Sequence, residues 1–204
     1  RYFAARSVDW AKLRAATDDK RTIGPSYRGP DLPEGTDIWG IRRTPTAYGG
    51  GSYDEIAHYP LAGAKASADL DRHRWPDPGW FDYAGLAALL READPGRRRA
   101  LQVRGANPFE VYCWMTGLEE AMVNLVTNPD LVRAGLERIT AFELVRLQRV
   151  VEAIGAEVDL VFMADDLGGQ TGLLMSRETY RTVIQPYHRR LVENCRDLVP
   201  RACV

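Results

Sequence analysis

VDLVFMADDLGGQTGLLMSRETYRTVIQPYHRR, residues 158–190, is the stretch whose reading decides the fold. It opens as an apolar, partly β-branched run of buried-strand length, 158–163. It breaks at two adjacent carboxylates, Asp165 and Asp166. A glycine-rich loop follows, with Gly168, Gly169, Gln170 and Gly172, and an amphipathic helix starts near Ser176. A buried strand that delivers acids to its carboxyl end, then a loop and a helix, is one βα unit of a parallel sheet or barrel. That end of the strand is where α/β folds place their chemistry.

Working outward, residues 100–103 predict a second strand, and the loop Gly105-Ala106-Asn107-Pro108 leads into a helix over about 109–126. Asn128-Pro129-Asp130 combines a cap, a proline at the first helical position and an acid at the positive dipole end. The helix it starts runs to about Ile154, with Val132, Leu136, Ile139, Leu147, Val150 and Ile154 at helical spacing, and Gly155 stops it. In the last helix, 176–198, Tyr180, Ile184, Tyr187, Leu191, Cys195 and Leu198 form a stripe, and Pro186 predicts a kink.

The first third reads less clearly. Residues 8–16 suggest a short helix or strand edge, and 24–35 a Pro/Gly loop. Residues 37–41 (DIWGI) suggest a short strand, and YGGGSY at 48–53 a hairpin turn. Residues 67–70 suggest a capped turn, and 81–92 a helix. The alternation of strands and helices indicates an α/β fold with parallel pairing. A (β/α)8 barrel needs about 250 residues. Arg1 is not an initiator Met and 204 residues hold too few strands, so the expectation is a single, incomplete barrel domain over 1–204, an internal fragment of a longer protein.

Charge narrows the partners. With 27 basic and 28 acidic residues the net charge is −1, which argues against nucleic acid or an anionic membrane surface as a partner. No apolar run approaches the roughly 20 residues of a membrane span. Three cysteines, Cys113, Cys195 and Cys203, with no CxxC pair, suit reduced thiols in the cytoplasm.

Asp165 and Asp166 are the first catalytic candidates. Leaving a strand side by side they diverge, so one can face the barrel mouth while the other braces the loop; capping of backbone N–H groups is the structural alternative. Gly168 permits close backbone approach to a ligand, and Gln170 can donate an amide hydrogen bond. Glu110 sits in a first helical turn at the end of the second strand, where the macrodipole alone would favour it. Arg104, ending that strand, can hold a carboxylate or pair with Glu110. Asp37 can project into the same mouth or fix the hairpin. Cys113 lies near the loop and can line the pocket, whereas Cys195 fits a core stripe. His58, His73 and His188 lack metal-ligand spacing, and His188, beside Arg189 and Arg190, reads as solvated. Trp39, Trp75, Trp80 and Trp114 suit either packing or an apolar cleft wall.

Three segments carry a resemblance. ADDLGGQTGLLMSRETYRTVIQPYHRRL (164–191), GANPFEVYCWMTGLEEAMVNLVTNPDLV (105–132) and TDIWGIRRTPTAYGGGSYDEIAHYPLA (36–62) followed by WPDP are similar, in that order, to the uroporphyrinogen decarboxylase-like superfamily. The resemblance covers about 35–195 and implies a (β/α)8 barrel with its pocket at the strand carboxyl ends. One branch implies decarboxylation of uroporphyrinogen III in porphyrin biosynthesis, without a cofactor. The other, methyltransferase-like, implies transfer of methyl groups between a corrinoid, with a corrinoid protein as the expected partner, and a thiol or other acceptor. That branch usually has a zinc on a His-x-Cys motif and a later Cys. The decarboxylase's arginine-rich signature is not in this chain. Its essential Asp, in Ser-Asp-Ile-Leu, corresponds to Asp37 in Thr36-Asp37-Ile38-Trp39. Its pocket Tyr falls near Cys113, with Tyr112 adjacent, and its substrate-contacting Ser falls at Asp166. Asp165-Asp166-Leu167-Gly168 resembles the methyltransferase-like branch. The zinc motif would follow the last helix, and Arg201-Ala202-Cys203-Val204 does not supply it, so no metal ligand is assigned. The expectation is thus a methyltransferase-like enzyme acting on a small molecule, with catalytic Asp37, Asp165 and Asp166 and substrate-binding Arg104, Glu110, Cys113, Gly168 and Gln170. Decarboxylation of a tetrapyrrole is the alternative, and a non-catalytic fragment or scaffold is the third.

Overall fold

A computed structural model describes residues 19–204; the element suggested over 8–16 lies outside them. Three strands form the central sheet: β1 (Lys20–Ile23), β6 (Ala100–Arg104) and β7 (Leu160–Phe162). They are all parallel, in the order β1-β6-β7, with Thr22 opposite Gln102 and Gln102 opposite Leu160. Parallel neighbours need crossovers, and helices supply them. Backbone pairing continues beyond β7: Val161 N–H donates to Cys203 O at 2.8 Å and Cys203 N–H to Asp159 O at 3.0 Å. Cys203 thus takes a fourth parallel position.

Side chains alternate across the sheet. Leu101 and Val103 point into an apolar layer with Leu86, Leu90, Leu147, Val150, Ile154 and Val161. Gln102 and Arg104 therefore take the opposite face, where Lys20 Nζ donates to Gln102 Oε1 (3.1 Å) and Gln102 Nε2 to Thr22 Oγ1 (3.0 Å). One face is dry and helix-covered; the other carries polar groups towards the strands' carboxyl ends.

The remaining elements are β2 (Ser26–Tyr27), β3 (Arg42–Tyr48), β4 (Gly51–His58), β5 (Phe81–Asp82), α1 (Ser67–Leu70), α2 (Leu86–Ala93), α3 (Pro108–Thr116), α4 (Leu118–Thr127), α5 (Pro129–Ile154), α6 (Arg177–Thr179) and α7 (Gln185–Leu198). β3 and β4 form the hairpin anticipated from the three glycines, with Tyr48 opposite Gly51. α5 ties the molecule together. Its first half sends Leu131, Val132, Leu136, Ile139 and Phe142 into one apolar cluster, with Phe109, Tyr112 and Met115 of α3. Its second half, Leu147 to Ile154, belongs to the cluster under the sheet. Each fully buried side chain of this kind contributes about 1.5–3 kcal/mol. α3 and α5 approach so closely that a Cβ on Gly135 would lie 2.6 Å from Tyr112 Cε2.

Three expectations need correction, and a fourth is refined. Residues 37–41 are a turn rather than a strand, because Asp37 Oδ1 accepts from both Trp39 N and Ile41 N. The helix expected at 81–92 starts only at Leu86: Phe81–Asp82 pairs with Ser26–Tyr27, and Asp82 Oδ1 takes the Gly85 N–H. The helix expected over 109–126 breaks at Gly117, whose φ of +95° lies where other residues are strained. At Pro186 the expected irregularity lies just before the proline. The chain widens into a π turn, Tyr180–Ile184, and Pro186 enters α7 in its first turn.

Among the described residues no helix is long and apolar enough to cross a membrane.

Candidate functional site

A cleft of about 750 Å³ opens where the carboxyl ends of β1, β6 and β7 meet α3 and α5. Its polar wall contains Asp37, Arg43, Arg104, Asn107, Glu110, Glu143 and Arg146; Trp39, Phe81, Trp114 and Phe142 supply apolar surface.

Most of these charges are already matched. Asp37 Oδ2 accepts from Arg43 Nη1 at 2.7 Å, while its other oxygen holds the turn. The Arg43 guanidinium lies 5.1 Å from the centre of the Trp114 ring, a cation–π distance. Glu143 pairs with Arg146, Nε to Oε2 at 2.8 Å, with only 11% of the carboxylate side chain exposed. Burial pushes the Glu143 carboxyl above its ordinary range, and Arg146 partly offsets this. Arg146 Nη2 also donates to the Arg104 and Gly105 carbonyls, both at 2.9 Å, clamping the end of β6. Glu110 accepts from Asn107 Nδ2 at 2.6 Å. Arg104 is exposed on the wall, and among the described residues its guanidinium has no hydrogen-bond or ion-pair partner.

The candidate residues separate into two groups. Asp37, Arg104 and Glu110 share the cleft wall. Asp165 stands behind it, with a side chain only 2% exposed. Its Oδ1 accepts from Glu110 N (2.7 Å) and its Oδ2 from Phe109 N (3.0 Å), so it serves as the cap of α3 from a distant loop. The N-cap residue itself, Asn107, makes no side-chain capping bond. Asp166, Gly168 and Gln170 are exposed and do not line the cleft. Their loop closes on itself, Gly169 N–H to Gly172 O at 2.7 Å and Leu174 N–H to Leu167 O at 3.0 Å. Cys113 is buried one turn beyond Glu110. Burial, with the Asp165 and Glu110 carboxylates adding, pushes its thiol up to about 12. Cys195 is fully buried in the cluster under the sheet.

His188 is the clearest correction. It is not solvated on a polar helix face: its Nε2 lies 2.6 Å from Asp165 Oδ2 and its Nδ1 lies 3.2 Å from the Tyr180 hydroxyl. Glu143 and Arg146 were not among the candidates. The signal was there, since Ile139, Glu143 and Leu147 follow one another at steps of four and put a carboxylate inside an apolar stripe.

Among the described residues no group of three or more His, Cys, Asp or Glu is placed to hold a metal ion. They therefore do not fit the zinc that the resemblance implies.

A family model described as uroporphyrinogen decarboxylase (URO-D) matches residues 68–203. Among solved structures, a methyltransferase from Methanosarcina mazei superposes with a TM-score of 0.51 at 18% identity, over 80% of this chain and 47% of that one. At that identity the likeness is one of fold. The parallel strands and their helices are accordingly part of a (β/α) barrel, and the chain spans about half the length of that structure. No curated protein matches.

Proposed function

We propose a methyl-transfer function from one premise: the chain belongs to the uroporphyrinogen decarboxylase family. In this reading the protein carrying the chain moves a methyl group between a corrinoid and a small acceptor, a thiol foremost. The fold shared with a methyltransferase supports it. The observation that carries the reading is the composition of the cleft wall, which Arg104 shares with Glu110 and two indoles: internal pairs consume most charges, and among the described residues the Arg104 guanidinium has no partner.

Each group has a role that follows from its contacts. Arg104 binds an anionic group of the acceptor, since a guanidinium offers several N–H donors in a fixed fork. Glu110, already steadied by Asn107, accepts a hydrogen bond from the acceptor's nucleophilic group. Trp39, Trp114 and Phe142 exclude water from the apolar part of the ligand. A corrinoid, when bound, supplies or receives the methyl group. A cytoplasmic setting belongs to the same reading, because Cys113, Cys195 and Cys203 are all unpaired.

Decarboxylation of uroporphyrinogen is the second reading, favoured by the place of Asp37 on the cleft wall. It is the weaker one, because both Asp37 oxygens already accept hydrogen bonds from this chain.

Purified full-length protein incubated with methylcobalamin and 2-mercaptoethanesulfonate should release demethylated corrinoid and a methyl thioether. Arg104→Ala should raise KM for that anionic thiol about tenfold, the loss of one charged hydrogen bond, and leave KM for neutral 2-mercaptoethanol unchanged. Turnover of uroporphyrinogen with no response to methylcobalamin rejects methyl transfer in favour of decarboxylation.

A further inference from the structure

The Asp165 carboxylate has a second donor that the cap does not require. Two backbone N–H groups and the His188 imidazole converge on it, and two of the three share Oδ2. Because a carboxylate that receives N–H groups is an acceptor, Nε2 of His188 is the donor in the 2.6 Å contact. In the neutral ring this leaves a lone pair on Nδ1, and the Tyr180 hydroxyl, 3.2 Å away, donates to it.

The π turn makes that second contact possible. Tyr180 and His188 are eight residues apart. On a regular α-helix, at about 100° per residue, they would stand about 80° from each other. A π turn absorbs one extra residue, which brings them to within about 20°. Its cause is local. Pro186 has no N–H to give the Thr182 carbonyl, and its ring crowds that carbonyl. Gln185 N–H bonds instead to Tyr180 O, five residues back.

We propose that His188 is a positioning residue of the cleft: through Asp165 it holds the first turn of α3, and Tyr180 selects the imidazole tautomer in which it does so. The path is continuous. Tyr180 orients His188, His188 steadies Asp165, and Asp165 binds the Phe109 and Glu110 amides. Glu110 in turn presents its carboxylate on the cleft wall. The C-terminal helix is thereby tied to the ligand-binding wall. That the wall binds ligand rests on the methyl-transfer reading; that His188 holds α3 does not.

The test compares His188→Phe, which keeps the bulk, with His188→Gln, which keeps an N–H donor, in the purified full-length protein. First-turn helix amides have no partner within the helix, so the protection of Phe109 and Glu110 against hydrogen exchange reports Asp165 directly. His188→Phe should speed exchange at these two amides at least tenfold and leave the Leu136 amide in α5 unchanged. It should also lower kcat/KM for methylcobalamin and 2-mercaptoethanesulfonate about tenfold. Gln should restore both to within about threefold. Tyr180→Phe, which keeps the ring and its packing, should speed the same two amides about threefold and serves if His188→Phe does not fold. Unchanged exchange in His188→Phe, or Gln behaving like Phe, overturns the proposal. If the wild type does not demethylate methylcobalamin, methyl transfer fails, and the exchange comparison still decides the role of His188.

Discussion

Replacing Asp165 by Ala should destabilise the protein by about 2–4 kcal/mol, whereas Asp166→Ala should be neutral within about 0.5 kcal/mol. The magnitude follows from what each carboxylate touches. Asp165 is covered and accepts from Phe109 N, Glu110 N and His188 Nε2. Loss of a helix cap alone costs about 1 kcal/mol. Two amides and an imidazole left without a partner in a buried place add about 1–3 kcal/mol each in isolation, but they share one oxygen pair and relax together, so the sum falls short of additive. Asp166 is exposed, and no hydrogen bond or ion pair of its side chain is seen among the described residues. Urea denaturation is the assay: for Asp165→Ala the midpoint should fall with an unchanged slope, since the surface exposed on unfolding is the same. The two positions are neighbours on one loop, which makes the pair a sharp comparison. A substrate-facing Asp165 would behave differently, because removing a charge held for function leaves stability level or improves it while activity falls. An Asp165→Ala midpoint equal to wild type would refute the capping role, and so would an Asp166→Ala variant that is the less stable of the two.

Three further outcomes follow from packing and burial. Gly135→Ala should cost about 1–3 kcal/mol in the same assay, because the new Cβ would press to 2.6 Å on the fully buried Tyr112 ring; a neutral result would mean that α3 and α5 stand further apart. Glu143 has a raised folded-state value, so its contribution to stability is fully present below the ordinary glutamate value of about 4.3 and is lost as pH rises through the raised one. The stability of wild type relative to Glu143→Gln, followed across pH, should therefore decline upward through that window, and a rise would contradict burial as the dominant cause. Burial holds the Cys113 thiol up at about 12 and the Cys195 thiol at about 11, so both should resist iodoacetamide at pH 8 and react only in denaturant; native-state labelling of either would show that its cluster opens.

The parts of the fold legible in the sequence are those where one signal has one physical outcome. Asn128-Pro129 starts α5 and Gly155 follows its end, although Asn128 makes no side-chain capping bond and Gly155 keeps a right-handed φ of −58°, so the sequence marked the boundaries and not the cap geometry. The strands at 100–104 and 160–162 also follow their apolar runs. The misreadings arise where two local signals compete. Asp37-Ile38-Trp39 has strand-like residues, but a side chain that can bond its own backbone two and four residues on converts them to a turn. β1 (Lys20–Ile23) is only four residues, two of them cationic, and its strand character comes from pairing with β6. In the site, residue type and strand-end placement pointed to Arg104 and Glu110. Periodicity could not say which neighbour Asp165 would meet, because its partners come from residues 55, 56 and 23 positions away.

The cleft has few free charges because its ionisable side chains brace the surrounding chain. A loop between elements loses backbone entropy, about 1–2 kcal/mol per residue, unless contacts hold it. In this protein the holding contacts are two ion pairs and a carboxylate–imidazole hydrogen bond. Asp37–Arg43 pins the turn before the hairpin, Glu143–Arg146 clamps the end of β6, and Asp165–His188 joins the last loop to α3 and α7. Each contact commits its side chains to the protein itself, and each lies near the carboxyl ends of the strands. An uncommitted group against this background is therefore informative in a way that a bare count of acids and bases is not. Among the described residues Arg104 is such a group, and the loss of an anionic ligand's affinity on its removal, without loss of stability, distinguishes a binding charge from a bracing one.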